Sequence, residues 1–300
     1  MSSLKQQVLS TIKSRDLEGP FELYVTRTPG YLWALLFRRF NIHPITVTML
    51  SIVIGCASGV LFASQSLTLN VVGMLLLVWA NWYDCADGQL ARMTGKKTLI
   101  GRILDGFAGD LWFSFIYIGI ALRLTPEFGI WIWALVFWAG LYCHARQCSL
   151  ADYYRNAHML FTGLANELDS SKDIMNEYRS LEWNSRNWFH KFYLCCYASY
   201  IRGQENTTPQ LQKLLAAVNQ KWGGVVPAEL GKTFREQSRP LMPLCQILTF
   251  DARAGVLFVS LFVGLPWLYP LLEATAFEAL RIYTNVRHER FCKTLNSSWA

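Results

Sequence analysis

Pro44 to Ala63, PITVTMLSIVIGCASGVLFA, runs for 20 residues without a charge. A helix of that length and polarity is enough to cross a hydrocarbon core, where every backbone polar group must be satisfied within the segment. Pro44 opens the run, a position at which its missing N–H costs nothing. Five further apolar runs follow, at 69–83, 101–122, 128–143, 243–265 and 269–283. The chain is therefore expected to be an all-α integral membrane protein with six transmembrane helices. The aggregate composition agrees: 52% of residues are apolar, 14% aromatic and only 16% charged.

The net charge of +7 arises mainly from Lys and Arg at the ends of apolar runs. That placement suits an anionic membrane surface and argues against nucleic acid as a partner. Residues 20–40, PFELYVTRTPGYLWALLFRRF, mix aromatics with Arg27, Arg38 and Arg39 and read as an amphipathic helix lying in the interface ahead of the first span. The expected division is 1–43 for a cytoplasmic tail and this interfacial helix, 44–150 for spans one to four, 151–240 for a water-facing helical insert, and 241–300 for spans five and six with a basic tail. The short connections near Ser64, Arg123 and Pro266 hold a single basic residue, so the opposite, basic side is expected to face the cytoplasm. None of the eight cysteines shows C-x-x-C spacing, and they are expected to be reduced.

Between the second and third runs lies DCADGQLARMTGKKTLIGRILDGFAGD, with Asp84, Asp87, Asp105 and Asp110. Four acids at the mouth of two spans are costly unless paired. Asp84 and Asp87 are three residues apart and share one helical face. Oxygen ligands without His or Cys favour a hard cation such as Mg²⁺, Mn²⁺ or Ca²⁺. Gly88 lets a ligand approach the backbone, and Arg92 offers a donor fork suited to phosphate.

This stretch resembles the CDP-alcohol phosphotransferases, also called CDP-alcohol phosphatidyltransferases, with signature D-x2-D-G-x2-A-R-x8-G-x3-D-x3-D. Asp84, Asp87, Gly88, Ala91, Arg92, Gly101 and Asp105 fall at the required spacings, and the approach to span one from Pro44 to Thr48 is also similar. The resemblance implies a membrane enzyme of phospholipid synthesis with two ions, Mg²⁺ or Mn²⁺, held by Asp84, Asp87, Asp105 and Asp110. It implies a CDP site of Asp84, Gly88, Ala91, Arg92 and Gly101, with Asp110 as the base taking the acceptor proton. A CDP-linked lipid or alcohol and a polar acceptor would be its substrates, the bilayer its surroundings and a homodimer its assembly. A bacterial inner membrane is the expected location.

The last signature aspartate is one residue late: Gly109 stands at its place and Asp110 follows. A single-turn π-bulge near Gly106 and Gly109 would re-aim Asp110 inward and is the expectation here. After span four, His144, Arg146, Gln147, Asp152 and Arg155 could recognise a polar acceptor; Arg146 and Arg155 would suit a phosphorylated one, which puts inositol phosphate or inositol first. Asp251 and Arg253 read as an acceptor contact or an internal ion pair. Two alternatives stand beside phosphatidyl transfer: head-group transfer to diacylglycerol or a ceramide-like lipid, and a non-catalytic metal-binding transporter or scaffold.

Overall fold

The computed structural model describes residues 6–8, 14, 16–19, 21–184 and 187–299, with the side chains of Leu99 and Arg102 set aside. Most of the basic tail expected ahead of the first helix, Lys5, Lys13 and Arg15 included, lies outside the described residues. Every regular element among them is helical. The chain divides into two units, Met1–Ala145 with Phe250–Phe277, and Arg146–Thr249 with Glu278–Ala300.

The first unit opens with a π-helical turn, Glu22–Arg27, that runs directly into α1, Thr28–Arg39. Asn41 turns the chain with φ of 51°, and α2 follows over Pro44–Phe62. His43 caps α2 by accepting the Ile45 N–H on Nδ1. α3, Leu67–Thr94, stops at Gly95, whose φ of 69° gives the left-handed C-cap that a residue with a Cβ adopts at a cost. α4, Leu99–Phe128, begins at a Thr98 cap whose Oγ1 accepts the Gly101 N–H. α5, Trp131–Phe137, passes into a second π-helical turn, Trp138–His144.

α2 packs along both α3 and α4, while α3 and α4 touch each other little. Small residues permit this. A Cβ built on Gly55 would sit 2.2 Å from Trp112, and one on Gly119 only 2.3 Å from the Gly59 carbonyl oxygen, so α2 and α4 meet nearly backbone to backbone. Trp112, Ile116 and Ile120 fill the seam with almost no exposure. On the other side α1 lies against α3 through Trp33, Phe37, Trp79 and Tyr83, with the Trp33 and Tyr83 rings meeting edge to face at 5.0 Å.

In the second unit α6 covers Ala145–Phe161, apart from Ala145 itself, which the division leaves in the first. α7, Ser171–Ser180, and α8, Trp188–Thr207, form a hairpin around Ile174, Leu194, Ala198 and Ile201. α9, Pro209–Trp222, and α10, Ala228–Ser238, precede a short 3₁₀ turn and α11, Met242–Ile247. The chain then returns to the first unit with α12, Phe250–Phe262, α13, Leu268–Leu272, and a third π-helical turn, Glu273–Phe277. The last helix, α14, Glu278–Trp299, belongs to the second unit.

Four helical runs among the described residues are long and apolar enough to cross a membrane: Pro44–Phe62, Leu67–Thr94, Ile103–Phe128 and Ala228–Phe262. They point to an integral membrane protein. The first three coincide with expected spans one to three, and the fourth contains most of span five but is interrupted at Leu248 and Thr249. The runs expected as spans four and six are not among them. Each is helical but broken by a π-helical turn and continued by a polar helix, α6 or α14. All eight cysteines are free.

A buried ion pair holds the first unit together below its acidic end. Arg253 on α12 and Glu273 are both wholly buried, and Arg253 Nη1 donates to Glu273 Oε2 and to His144 Nδ1. A guanidinium only donates, so Nδ1 of His144 must carry a lone pair there. Tyr117 and Tyr269 complete the cluster, their hydroxyls 3.2 Å apart. Of the two readings offered for Arg253, the internal ion pair is what forms, with Glu273 as partner.

Candidate metal and nucleotide site

The signature residues meet where α2 begins, α3 nears its end and α4 begins. Asp84 and Asp87 stand on neighbouring positions of α3, and Asp105 comes from the second turn of α4. The three carboxylates can each offer an oxygen within 4.8 Å of the other two. Asp87 is 3% exposed, whereas Asp105 is open to solvent. Thr48, on the first turns of α2, donates its hydroxyl proton to Asp87 Oδ2 and its Oγ1 also lies 3.2 Å from the Pro44 carbonyl oxygen. That threonine was not singled out as a site residue from sequence; the signal for it was the Pro44-to-Thr48 similarity, which gave no partner.

Asp84 Oδ1 is buried and has no hydrogen-bond partner. An orphaned carboxylate oxygen away from water costs free energy on the order of 1 to 3 kcal/mol or more, so its persistence calls for a cation. Three carboxylates and no nitrogen or sulfur donor fit the hard divalent ions and not zinc. The residues present therefore fit the metal that the sequence suggested.

Gly88 lies one turn beyond Asp84. The three atoms nearest a Cβ built there all belong to the Arg92 guanidinium, the closest at 3.4 Å, so the glycine leaves a gap edged by positive charge. Arg92 itself is exposed and Ala91 half-buried. Gly101 is tight for another reason: a Cβ would sit 2.9 Å from the Thr98 Oγ1 that caps α4. Lys96 is engaged with Asn41, Nζ to Oδ1 3.0 Å.

Asp110 is not part of the group of three. The π-bulge expected near Gly106 and Gly109 does not form: α4 is α-helical from Leu99 to Phe128. Both glycines have open space around them, so nothing there forces the helix to overwind or bulge. On a regular helix a five-residue step turns the side chain by about 140°, which points Asp110 away from Asp105.

Of the expected acceptor residues, Arg146, Gln147, Asp152 and Arg155 lie in the second unit, and His144 lies in the first, buried against Arg253 and Tyr117. Arg146 and Arg155 are nine residues apart on α6, which places them on opposite faces, about 180° apart. The Arg146 charge acts on Glu278 and that of Arg155 on Cys245. The structure does not join them as a pair.

Residues 41–159 match the family model described as CDP-alcohol phosphatidyltransferase. That stretch is a domain of this family, spanning α2 to the end of α6 but for its last residues, and the chain is an enzyme of its class, a transferase of substituted phosphate groups. The family uses divalent metal ions, and its activity is phosphatidyl transfer from a CDP-alcohol. No curated protein and no solved structure matches the chain.

Proposed function

We propose that the protein transfers a phosphatidyl-type group from CDP-diacylglycerol to a small polar alcohol and releases CMP. One observation carries this: Asp84, Asp87 and Asp105 converge beside the gap at Gly88, with Asp84 Oδ1 buried and unpartnered. The three carboxylates would hold Mg²⁺ or Mn²⁺, one ion or a pair; bound there, the metal supplies Lewis-acid neutralisation of the charge that gathers on the leaving CMP. Thr48 fixes the Asp87 carboxylate by its hydrogen bond, so that ligand is oriented before substrate arrives. Gly88 admits the diphosphate close to α3, and Arg92 donates to its oxygens in a forked geometry. Ala91 and Gly101 keep the rest of that face low.

In this reading the carboxylates at work are three. Asp110, implied by the resemblance as fourth ligand and as base, is left without a role. The membrane arrangement proposed is six spans, the four runs above joined by the helices at 131–143 and 268–283, with the Glu22–Arg39 helix in the interface and the carboxylates on the cytoplasmic side. Inositol phosphate is the first acceptor to try, because Arg146 opens α6 just beyond the membrane-embedded stretch. Homodimerisation and a bacterial inner membrane are carried as part of the same proposal.

The test is CMP release by the purified full chain, with Mn²⁺ or Mg²⁺, CDP-diacylglycerol and a panel of inositol phosphate, inositol, serine and glycerol phosphate. Metal-dependent release with one acceptor supports the reading. Release from a CDP-alcohol onto diacylglycerol instead would reverse donor and acceptor, and no release from any donor would refute it.

A further inference from the structure

Around α3 the side chains near the site follow an ordered arc. Taking Asp84 as zero, a step of about 100° per residue places Asp87 near −60°, Gly88 near +40°, Arg92 near +80°, Cys85 near +100° and Gln89 near +140°. The carboxylates thus occupy one flank of the Gly88 gap. The other flank is closed by a residue from outside the signature, Arg27, at the end of the π-helical turn Glu22–Arg27.

Several contacts seat Arg27 there. Its Nη1 lies 3.8 Å from Cys85 Sγ, and its carbonyl oxygen accepts from Gln89 Nε2 at 3.3 Å. One helical turn on, Gly30 presses against Cys85 so closely that an added Cβ would meet the Cys85 Cβ at 2.8 Å. Trp82 Nε1 donates to the Val25 carbonyl oxygen at 2.9 Å. The guanidinium is therefore delivered to α3 by a docked backbone and not by a loose side chain.

Its own hydrogen bonding is incomplete. Nη2 donates to Glu22 Oε1 at 3.1 Å, but Nε, although 3.1 Å from Glu18 Oε1, is buried without a hydrogen bond, and the thiol at Nη1 is a weak acceptor. The Arg27 charge reaches both Asp84 and Arg92. Two guanidinium groups therefore act on each other on the same flank of one glycine, and no hydrogen bond or ion pair of Arg92 is found among the described residues. Like charges held this way are stabilised by an anion between them.

We infer that Arg27 is a second guanidinium for the diphosphate of a cytidine nucleotide, gripping it beside Arg92 on the flank of Gly88 opposite the carboxylates, with Glu22 occupying one of its donors and Glu18 pairing its charge until the phosphate arrives. The inference rests on the proposed CDP site and adds a residue and a competition to it. The Glu22–Arg39 helix then becomes a wall of the active site as well as a membrane contact. The acids act as an internal competitor, so removing one should strengthen nucleotide binding.

The experiment is equilibrium binding of CDP and of CMP to the purified full chain at saturating Mn²⁺, for wild type, Arg27→Met, Arg27→Lys, Glu22→Gln and Asp84→Asn, each checked by thermal unfolding. Arg27→Met is expected to weaken CDP by about tenfold or more and CMP by no more than about threefold. Arg27→Lys should recover part of the loss, and Glu22→Gln should tighten CDP by about two- to fivefold. A merely structural ion pair predicts the reverse for Glu22→Gln: unchanged or weaker binding with a lower unfolding temperature. That result, or a CDP affinity within twofold of wild type in Arg27→Met, overturns the inference. Should Arg27→Met not fold, Glu22→Gln decides alone. Asp84→Asn separates the two levels of the argument, because wild-type CDP affinity in that variant would refute the metal and nucleotide site itself, whatever Arg27 does.

Discussion

The two units each contain a knot of ligand-type side chains, and only one of them has a carboxylate open to solvent. In the first, Asp84, Asp87 and Asp105 gather within 4.8 Å; in the second, His288, Glu289 and Cys292 on α14 do the same. The difference is what the atoms are already doing. Glu289 takes the N–H groups of Gln210 and Leu211, at 2.6 and 3.3 Å, and so caps the start of α9. His288 is stacked on Tyr154 at a ring separation of 3.7 Å, with Phe291 tilted against it at 4.5 Å, and Cys292 Sγ lies 3.6 Å from its Nδ1. A carboxylate spent on a helix cap and a histidine sandwiched in rings make a packed core. Asp84 Oδ1, buried with no partner, and Asp105, open to solvent, make a socket. Closeness of ligand atoms alone does not distinguish these, and neither does one orphaned atom, since His288 Nε2 is also buried without a hydrogen bond; a carboxylate already spent and a histidine closed in by rings do.

That contrast can be broken most directly at Asp84. Asp84→Asn or Asp87→Asn should lower CMP release by about 10³-fold or more, the scale at which a site built on charge neutralisation fails when a metal ligand is lost. Glu289→Gln should leave release within about twofold, since a neutral cap does not touch the site. Equal losses in the two would erase the distinction.

A second comparison sits within α4. Asp105→Asn is expected to cost about 10²-fold or more in CMP release, and Asp110→Asn less than about tenfold, because the regular helix turns Asp110 away from the group. A loss in Asp110→Asn as large as in Asp105→Asn would show that α4 rewinds when substrate binds and would restore Asp110 as ligand or base.

The packed knot has its own signature in acid. Burial, and next the charge of His158, hold the His288 pKa down at about 3, against 6.5 for the free side chain. The unfolded chain therefore binds a proton between these values that the folded chain refuses, so stability is full above pH 6.5 and falls as pH drops toward 3. The loss from this group is about 2 kcal/mol at pH 5. Glu289 works in the other sense, its pKa raised by burial, so the difference between wild type and His288→Gln in thermal unfolding across pH 4.5 to 8 isolates the histidine. A His288 whose acid dependence is abolished by micromolar zinc would make the knot a metal site after all.

The smallest effect belongs to the cap. Glu289→Ala should destabilise the second unit by about 1 kcal/mol through the lost α9 cap, with no response to chelators. Thermal unfolding with and without EDTA reads both.

Much of the socket could be read from sequence because its logic is local. Three-residue spacing on one helix brings Asp84 and Asp87 together, and the helix that follows places Asp105 within reach. Span one was legible from its uncharged length, and the close meeting of α2 and α4 has its cause in Gly55, Gly59 and Gly119. What escaped depends on partners far along the chain. Thr48 reaches Asp87 only because α2 wedges between α3 and α4, and Arg253 finds Glu273 through the fold of α12 and the turn after α13. The π-helical turns were also opaque. They form at Glu22–Arg27, Trp138–His144 and Glu273–Phe277, none of them marked by a signature, whereas the place where a bulge was expected stays regular. Paired glycines near Asp110 permit a distortion, but only packing compels one, and space around Gly106 and Gly109 is open. Arg146 and Arg155 look like a pair in the sequence and stand about two and a half turns apart on α6, on opposite faces.

The central claim is that three carboxylates with one unspent oxygen are a working cation site beside a nucleotide diphosphate. Titration of Mn²⁺ into the purified chain by electron paramagnetic resonance, with and without CDP, tests it most directly. The account requires saturable Mn²⁺ binding that tightens with CDP, persists in Asp110→Asn and vanishes in Asp84→Asn. Saturable binding that survives Asp84→Asn unchanged, or that CDP does not affect, would contradict it.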